Sequence, residues 1–203
     1  GVMVMEKSLT LALAQKIGWC LQQQPGVAVV LTRTGDYAMG ISDRVNCAVA
    51  NNADILVSIH INSSSTGNPD DNGCLAIVTL SHYQPSGAKS ADVYGSSQAL
   101  ASNILANLNG VGIPFTADFN ANATGGLLRR TSESGATYAD GSVADYYGII
   151  SHATKAGIPA CIVEHAFLSN ENDYWNYLSD DTKLDTLAKA DADGIMSYIN
   201  ANY

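Results

Sequence analysis

Three side chains in this 203-residue sequence, Glu6, His60 and Glu164, are of the types that hold a divalent cation and move a proton. His60 closes the apolar run Ile55-Leu56-Val57-Ser58-Ile59, and Glu164 directly follows Ala160-Cys161-Ile162-Val163. Short apolar runs rich in β-branched residues read as buried strands, and open α/β sheets bind ligands beyond the carboxyl ends of their strands. Each residue alone has a plainer reading, a hydrogen-bonded strand-end histidine or a carboxylate bridged to a helix. A carboxylate after such a run is nevertheless costly to bury unpartnered. Glu6 opens a helix that the element order brings to the same rim. A Glu, a His and a second Glu there match a zinc hydrolase: imidazole nitrogen and carboxylate oxygen suit Zn²⁺, and the second carboxylate can take a proton from water.

The elements that must position these groups are legible as an alternation. Leu9, Leu13, Ile17 and Leu21 recur every four residues, which predicts an amphipathic helix over residues 6–24, stopped by Pro25-Gly26. Residues 27–32 read as a buried strand, 41–49 as a helix capped by Ser42 or Asp43, and 54–60 as the strand ending in His60. A surface loop over 63–72 precedes a strand over 74–80 and a helix over 90–109. Residues 110–141, with Gly125-Gly126 and weak periodicity, read as a long excursion over one edge, a length that is uncommon in loops that serve no site. A helix over 143–156, the strand over 159–164 and helices over 171–178 and 181–200 complete the chain. Strands alternating with helices predict an α/β fold, a twisted, mostly parallel sheet sandwiched between helices. With no repeat and no linker, residues 1–203 form one domain.

Composition removes several functions. Nineteen acidic against ten basic residues give a net charge of −9, the wrong sign for nucleic acid or an anionic membrane. No apolar run reaches the ~18–20 residues of a membrane span, and the first residues lack the basic and apolar regions of a signal peptide. Cys20, Cys47, Cys74 and Cys161 have no CxxC spacing, which argues against a cysteine zinc site. They read as buried thiols, with a Cys20–Cys47 disulfide as the alternative.

Five motifs in order carry a resemblance. They are Glu6 opening Glu-Lys-Ser-Leu-Thr-Leu-Ala-Leu-Ala; Val30-Leu31-Thr32-Arg33 with Asp36; Asp43-Arg44 leading to Ala50-Asn51 and Ala53-Asp54; Ser58-Ile59-His60-Ile61-Asn62; and Pro159 through Val163-Glu164-His165-Ala166-Phe167-Leu168-Ser169-Asn170. Together they resemble the zinc-dependent N-acetylmuramoyl-L-alanine amidases of the type 3 family. The resemblance implies a phosphorylase/hydrolase-like sheet and hydrolysis of the amide between N-acetylmuramic acid and L-alanine of the peptidoglycan stem. It implies Zn²⁺ as cofactor, Glu6 and His60 as metal ligands, and Glu164 as the catalytic glutamate. Asn62 either positions substrate or holds the strand-end turn. It further implies peptidoglycan as partner, an extracellular or cell-wall location, and wall-binding modules elsewhere in the full-length protein. Thr32-Arg33 and Asp43-Arg44 are expected to pack the strand end and bridge a helix, Asn170 to cap a helix, and Phe167 to fill the core.

The sequence departs from the family pattern in one respect. Members carry a first zinc histidine in a glycine-rich loop after an initial strand, upstream of the helix glutamate, and only Gly1 to Met5 precede Glu6. The expectation is therefore a domain lacking its first strand and that loop, with weak zinc binding and little activity as given. His82 and His152 have no counterpart as ligands, and strand alternation turns His165 away from Glu164. Two rival readings keep the same residues: a non-catalytic peptidoglycan-binding module, and another zinc peptidase such as a carboxypeptidase.

Overall fold

The structure, a computed structural model, describes residues 5–66, 68–116 and 123–203. The first helix, α1 (Glu6–Gln22), buries Leu13, Ile17 and Leu21, the stripe expected from their spacing. Then come α2 (Ile41–Ala50), β1 (Leu56–Asn62), β2 (Leu75–Val78) and α3 (Val93–Gly110), followed by the two-residue strands β3 (Ala123–Thr124) and β4 (Leu127–Leu128). The chain ends with α4 (Gly148–Lys155), β5 (Ala160–Phe167), the short α5 (Glu171–Asp173) running into a π-helical turn at Tyr174–Leu178, and α6 (Asp181–Asn202). Among the described residues no helix is long and apolar enough to cross a membrane.

The strands form one sheet in the order β1-β5-β2-β4-β3, flanked by helices on both faces as the alternation predicts. Its pairing is more mixed than expected: β1–β5 and β2–β4 are parallel, β2–β5 and β3–β4 antiparallel. The reason lies in the connections. Parallel neighbours need a crossover, usually a helix, and no helix separates β1 from β2, so the chain returns in the opposite direction. One face packs on α1, α3 and α6 through Cys161 and Val163 of β5, together with Leu13, Leu100, Ile104 and Leu187. The other packs on α2 and α4 through Ala160 and Ile162, with Val45, Ile149 and Ile150. The period of two along β5 thus sends Glu164 to the α2/α4 side and His165 to the α6 side.

Three expectations about elements need correction. Residues 27–32 are not a strand of the sheet. Val29 and Leu31 instead lie against α1 at Gly18, each with a side-chain atom 3.5 Å from where a Cβ would stand, while Val30 points outward. The apolar run is covered by a helix and not by a ladder. The helix expected from 143 begins only at Gly148, because Val143 and Asp145 make isolated bridges to Thr137 and Thr131 and Asp145 anchors a loop. The excursion over 110–141 contains the β3–β4 hairpin, turned by Gly125 and Gly126 at φ +60° and +78°, the conformation of a type I′ turn. Residues 117–122 of that excursion, Gly67 of the preceding loop and residues 1–4 lie outside the described residues. All four cysteines are free thiols, Cys74 and Cys161 buried.

Candidate active site

The rim where β1 and β5 end brings Glu6, His60 and Glu164 together. Glu6 starts α1, and its Oε1 lies 2.9 Å from His60 Nδ1 and accepts from the Ile61 backbone N–H at 3.4 Å. The bond to His60 holds the Glu6 carboxyl below its usual range, and the same bond raises His60. Both side chains remain nearly half exposed, open to a ligand.

His60 and Glu164 are direct register partners in the parallel β1–β5 pair. Burial pushes the Glu164 carboxyl up, the Glu6 charge adds to this, and His60 opposes it. Among the described residues the buried Oε2 of Glu164 has no hydrogen-bond partner. A buried orphan acceptor costs about 1–3 kcal/mol, and such an atom in the carboxyl-terminal half of β5 fits a group that a bound water or substrate completes. Arg44 of α2 is near enough to oppose protonation of His60, while its Nε donates to the Met39 carbonyl at 3.3 Å.

Asn62, the last residue of β1, accepts at its Oδ1 from the Ser63 backbone N–H at 2.8 Å and at its carbonyl from the Leu168 N–H. Its side chain is engaged in the strand-end turn. Arg33 donates to the carbonyls of Gly35 and Lys7, so both arginines of the sequence motifs grip backbone in place of the expected salt bridge. Asn170 caps α5 by accepting from the Asp173 N–H, and Phe167 is fully buried. Beyond the strand ends a shallow cavity of about 230 Å³ is lined by Ser64, Asp71, Ser169 and Glu171, among others.

The side chains of the other histidines do not enter this trio, though His165 Nδ1 lies 2.9 Å from the His60 carbonyl oxygen. His82 packs on Tyr94 with ring centroids 3.9 Å apart, and His152 Nδ1 faces Ser42 Oγ at 3.3 Å. His165 turns to the opposite sheet face, where Nε2 lies 2.7 Å from Asp191 Oδ2. Sequence reasoning weighed His165 only as a ligand and did not find this pair. A signal existed: Asp191 falls in step with Leu184, Leu187, Ala188 and Ile195 on the buried face of α6, and a carboxylate there needs a partner.

Glu6 and His60 are donors of the kind Zn²⁺ takes, and they converge on one point. Hydrolytic zinc usually has three protein ligands. Among the described residues no group of three or more His, Cys, Asp or Glu side chains is arranged to hold a metal ion. The donor chemistry fits zinc, and the shell from these residues is two-membered.

Residues 1–197 match the protein family described as N-acetylmuramoyl-L-alanine amidase. The chain belongs to that family. It is 26% identical over 198 residues to the endolysin of Bacillus phage SPP1, which covers 97% of this chain and 59% of the endolysin. A sporulation-specific N-acetylmuramoyl-L-alanine amidase of Bacillus subtilis is 41% identical over 59 residues, 29% of this chain and 23% of that protein. The match thus spans 59% of the endolysin's length and 23% of the sporulation amidase's, less than two thirds of either. Among solved structures, the catalytic domain of CwlV, an N-acetylmuramoyl-L-alanine amidase from Bacillus (Paenibacillus) polymyxa var. colistinus, is 27% identical with a TM-score of 0.67, covering 96% of this chain and 85% of that one. An amidase from Clostridium difficile 630 shares the fold at a TM-score of 0.72 and 24% identity, covering 98% and 86%.

Proposed function

We propose that this amidase-family chain hydrolyses the amide between the lactyl group of N-acetylmuramic acid and L-alanine of the peptidoglycan stem, with Glu164 as proton carrier and Zn²⁺ held by Glu6 and His60. The observation that carries the reading is the buried, unpartnered Oε2 of Glu164 directly across the strand pair from His60. Burial raises the pKa of Glu164, which makes its carboxylate a better proton acceptor than an ordinary glutamate. Glu6 and His60 would hold the Zn²⁺, which would supply polarisation of the carbonyl and a more acidic water. Glu164 takes the proton of the attacking water as its oxygen bonds to the carbonyl carbon. It then gives that proton to the amide nitrogen as the C–N bond breaks, leaving the lactyl carboxylic acid, whose own proton passes to the freed amine of L-alanine.

Glu6 and His60 supply two ligands, and the remaining positions are open to water, substrate or a further donor. Asn62 serves by fixing the turn at the rim. The substrate implies work at the cell wall, and the additional length of the relatives leaves room for wall-binding modules in the full-length protein.

The test is digestion of purified peptidoglycan by the zinc-supplemented chain. New amino groups on L-alanine are expected, released slowly where Glu6 and His60 alone hold the metal. Release of a C-terminal amino acid instead identifies a carboxypeptidase, and sedimentation with the wall without any release identifies a binding module.

A further inference from the structure

A hydrogen-bonded chain runs from the buried interior into the candidate site, and the chemistry above does not use its inner half. His165 is fully buried on β5. Its Nδ1 lies 2.9 Å from the carbonyl oxygen of His60, and its Nε2 lies 2.7 Å from Asp191 Oδ2. A carbonyl only accepts, so Nδ1 carries a proton, and a second proton must lie between Nε2 and the carboxylate. The other end of the same peptide unit is also held: the Ile61 N–H donates to Glu6 Oε1. The order is Asp191, His165, the His60–Ile61 peptide, Glu6, and Glu6 in turn meets the His60 ring.

The tie falls where the ladder loosens. His60 pairs with Glu164 but Asn62 pairs with Phe167, so β5 carries one residue more than β1 between those pairs. Bulges of this kind leave backbone under-determined unless something else holds it. Stability alone does not explain a charge-bearing pair here. Replacing a buried ion pair with apolar residues of similar volume is often neutral or stabilising, and Asp191 Oδ1 is buried with no hydrogen-bond partner among the described residues.

We propose that His165 and Asp191 are positioning residues that clamp the His60–Ile61 peptide, and through it set the His60 ring and the Glu6 carboxylate. The assignment rests on Glu6 and His60 being the working residues of the site. His165 donates to the carbonyl and so polarises the peptide toward Glu6, which strengthens the outer bond. Asp191 orients the ring and fixes which nitrogen faces the carbonyl, as carboxylates do for working histidines elsewhere.

The experiment compares three variants of the whole chain by amide hydrogen exchange at Ile61, by zinc competition against a chelator, and by kcat and KM for stem-peptide release. His165→Leu/Asp191→Leu removes the clamp without leaving a buried charge. It is expected to fold, to exchange Ile61 at least about tenfold faster, and to lose zinc affinity by about 10–100-fold, with kcat falling and KM unchanged. His165→Asn/Asp191→Leu restores an N–H toward the His60 carbonyl and is expected to recover most of each loss. Asp191→Asn can still hold Nε2 by donating to it, and is expected to match the parent. Wild-type exchange at Ile61 and wild-type zinc affinity in the folded double-leucine variant overturn the proposal. So does a loss of both in a folded Asp191→Asn protein. If the parent chain neither binds zinc nor releases stem peptides, the proposed function fails, while a change in Ile61 exchange still establishes the clamp.

Discussion

His60 and Glu164 stand opposite each other in the parallel β1–β5 pair, on the sheet face that carries α2 and α4. Parallel pairing aligns the carboxyl ends of the two strands, so residues distant in sequence finish on one rim. Glu6 joins them because α1 begins at that rim and its carboxylate reaches both His60 Nδ1 and the Ile61 N–H. If these two side chains are the metal donors, Glu6→Ala and His60→Ala each lower zinc affinity by more than about 100-fold, beyond what loss of an outer-shell partner does. Chelator competition followed by mass spectrometry checks this. Unchanged zinc affinity in either variant removes that residue from the shell.

Gly194 sets how closely α6 approaches α3. A Cβ there would meet Ile104 Cα at 2.6 Å and the Asn103 carbonyl oxygen at 2.8 Å, both backbone atoms that cannot turn aside. In an exposed helix Gly→Ala gains about 1 kcal/mol. Here Gly194→Ala is expected to lose about 1–3 kcal/mol, the usual effect of overpacking. Urea unfolding measures the sign directly, and a gain in stability would mean that the two helices are not in contact at this point.

The strands carrying His60 and Glu164 were legible from their apolar runs, and the stripe of α1 because its spacing admits only a helix. The ends of those strands were not, since β1 runs on to Asn62 and β5 to Phe167, where pairing continues past the polar residues. Residues 27–32 misled because an apolar run states that side chains are covered, not whether a ladder or a helix covers them. The β3–β4 hairpin was missed because two-residue strands have no periodicity to read, although Gly125-Gly126 is itself a hairpin signal. The start of α4 was displaced because Asp145 spends its carboxylate on Thr79, Leu80 and Tyr138, partners far from it in sequence or across a loop. Pairing of His165 with Asp191 depends on how α6 lies on the sheet, which no local pattern encodes.

That Asp145 carboxylate supports the next expectation. It is buried, and it accepts from Thr79 Oγ1 at 2.7 Å, the Leu80 N–H at 2.9 Å and the Tyr138 hydroxyl at 2.6 Å. Burial and this bond push the Tyr138 phenol up to about 12. Asp145→Asn leaves one acceptor oxygen for three donors and is expected to lose about 2–3 kcal/mol, whereas Tyr138→Phe removes one strong bond and the long 3.4 Å bond from the Asp145 N–H and loses about 1–1.5 kcal/mol. Thermal or urea unfolding of the two variants tests the ranking, and equal losses would count against Asp145 as the hub.

The last expectation separates the chemistry of Glu164 from its place in the fold. Burial raises its carboxyl above the ordinary value of 4.5, so the folded chain holds this proton more tightly than the unfolded chain. By linkage the folded state loses stability as pH rises from the unfolded pKa through the raised folded pKa, and stays at the lower level above it. Glu164→Gln removes a charge that is costly to bury and keeps the shape at the strand end. In the metal-free chain it is expected to be more stable than the parent at pH 7, with the difference vanishing below about pH 4, near the ordinary range of an unfolded glutamate. Its turnover should fall by about 10²–10⁴-fold, the usual contribution of a general base, with zinc affinity retained. The parent's pH–rate profile should show an acid limb above pH 4.5 that the variant lacks. Unfolding curves across pH beside stem-peptide release decide the matter. A variant that gains no stability at pH 7 contradicts the burial argument, and one that keeps near-normal turnover contradicts the catalytic one.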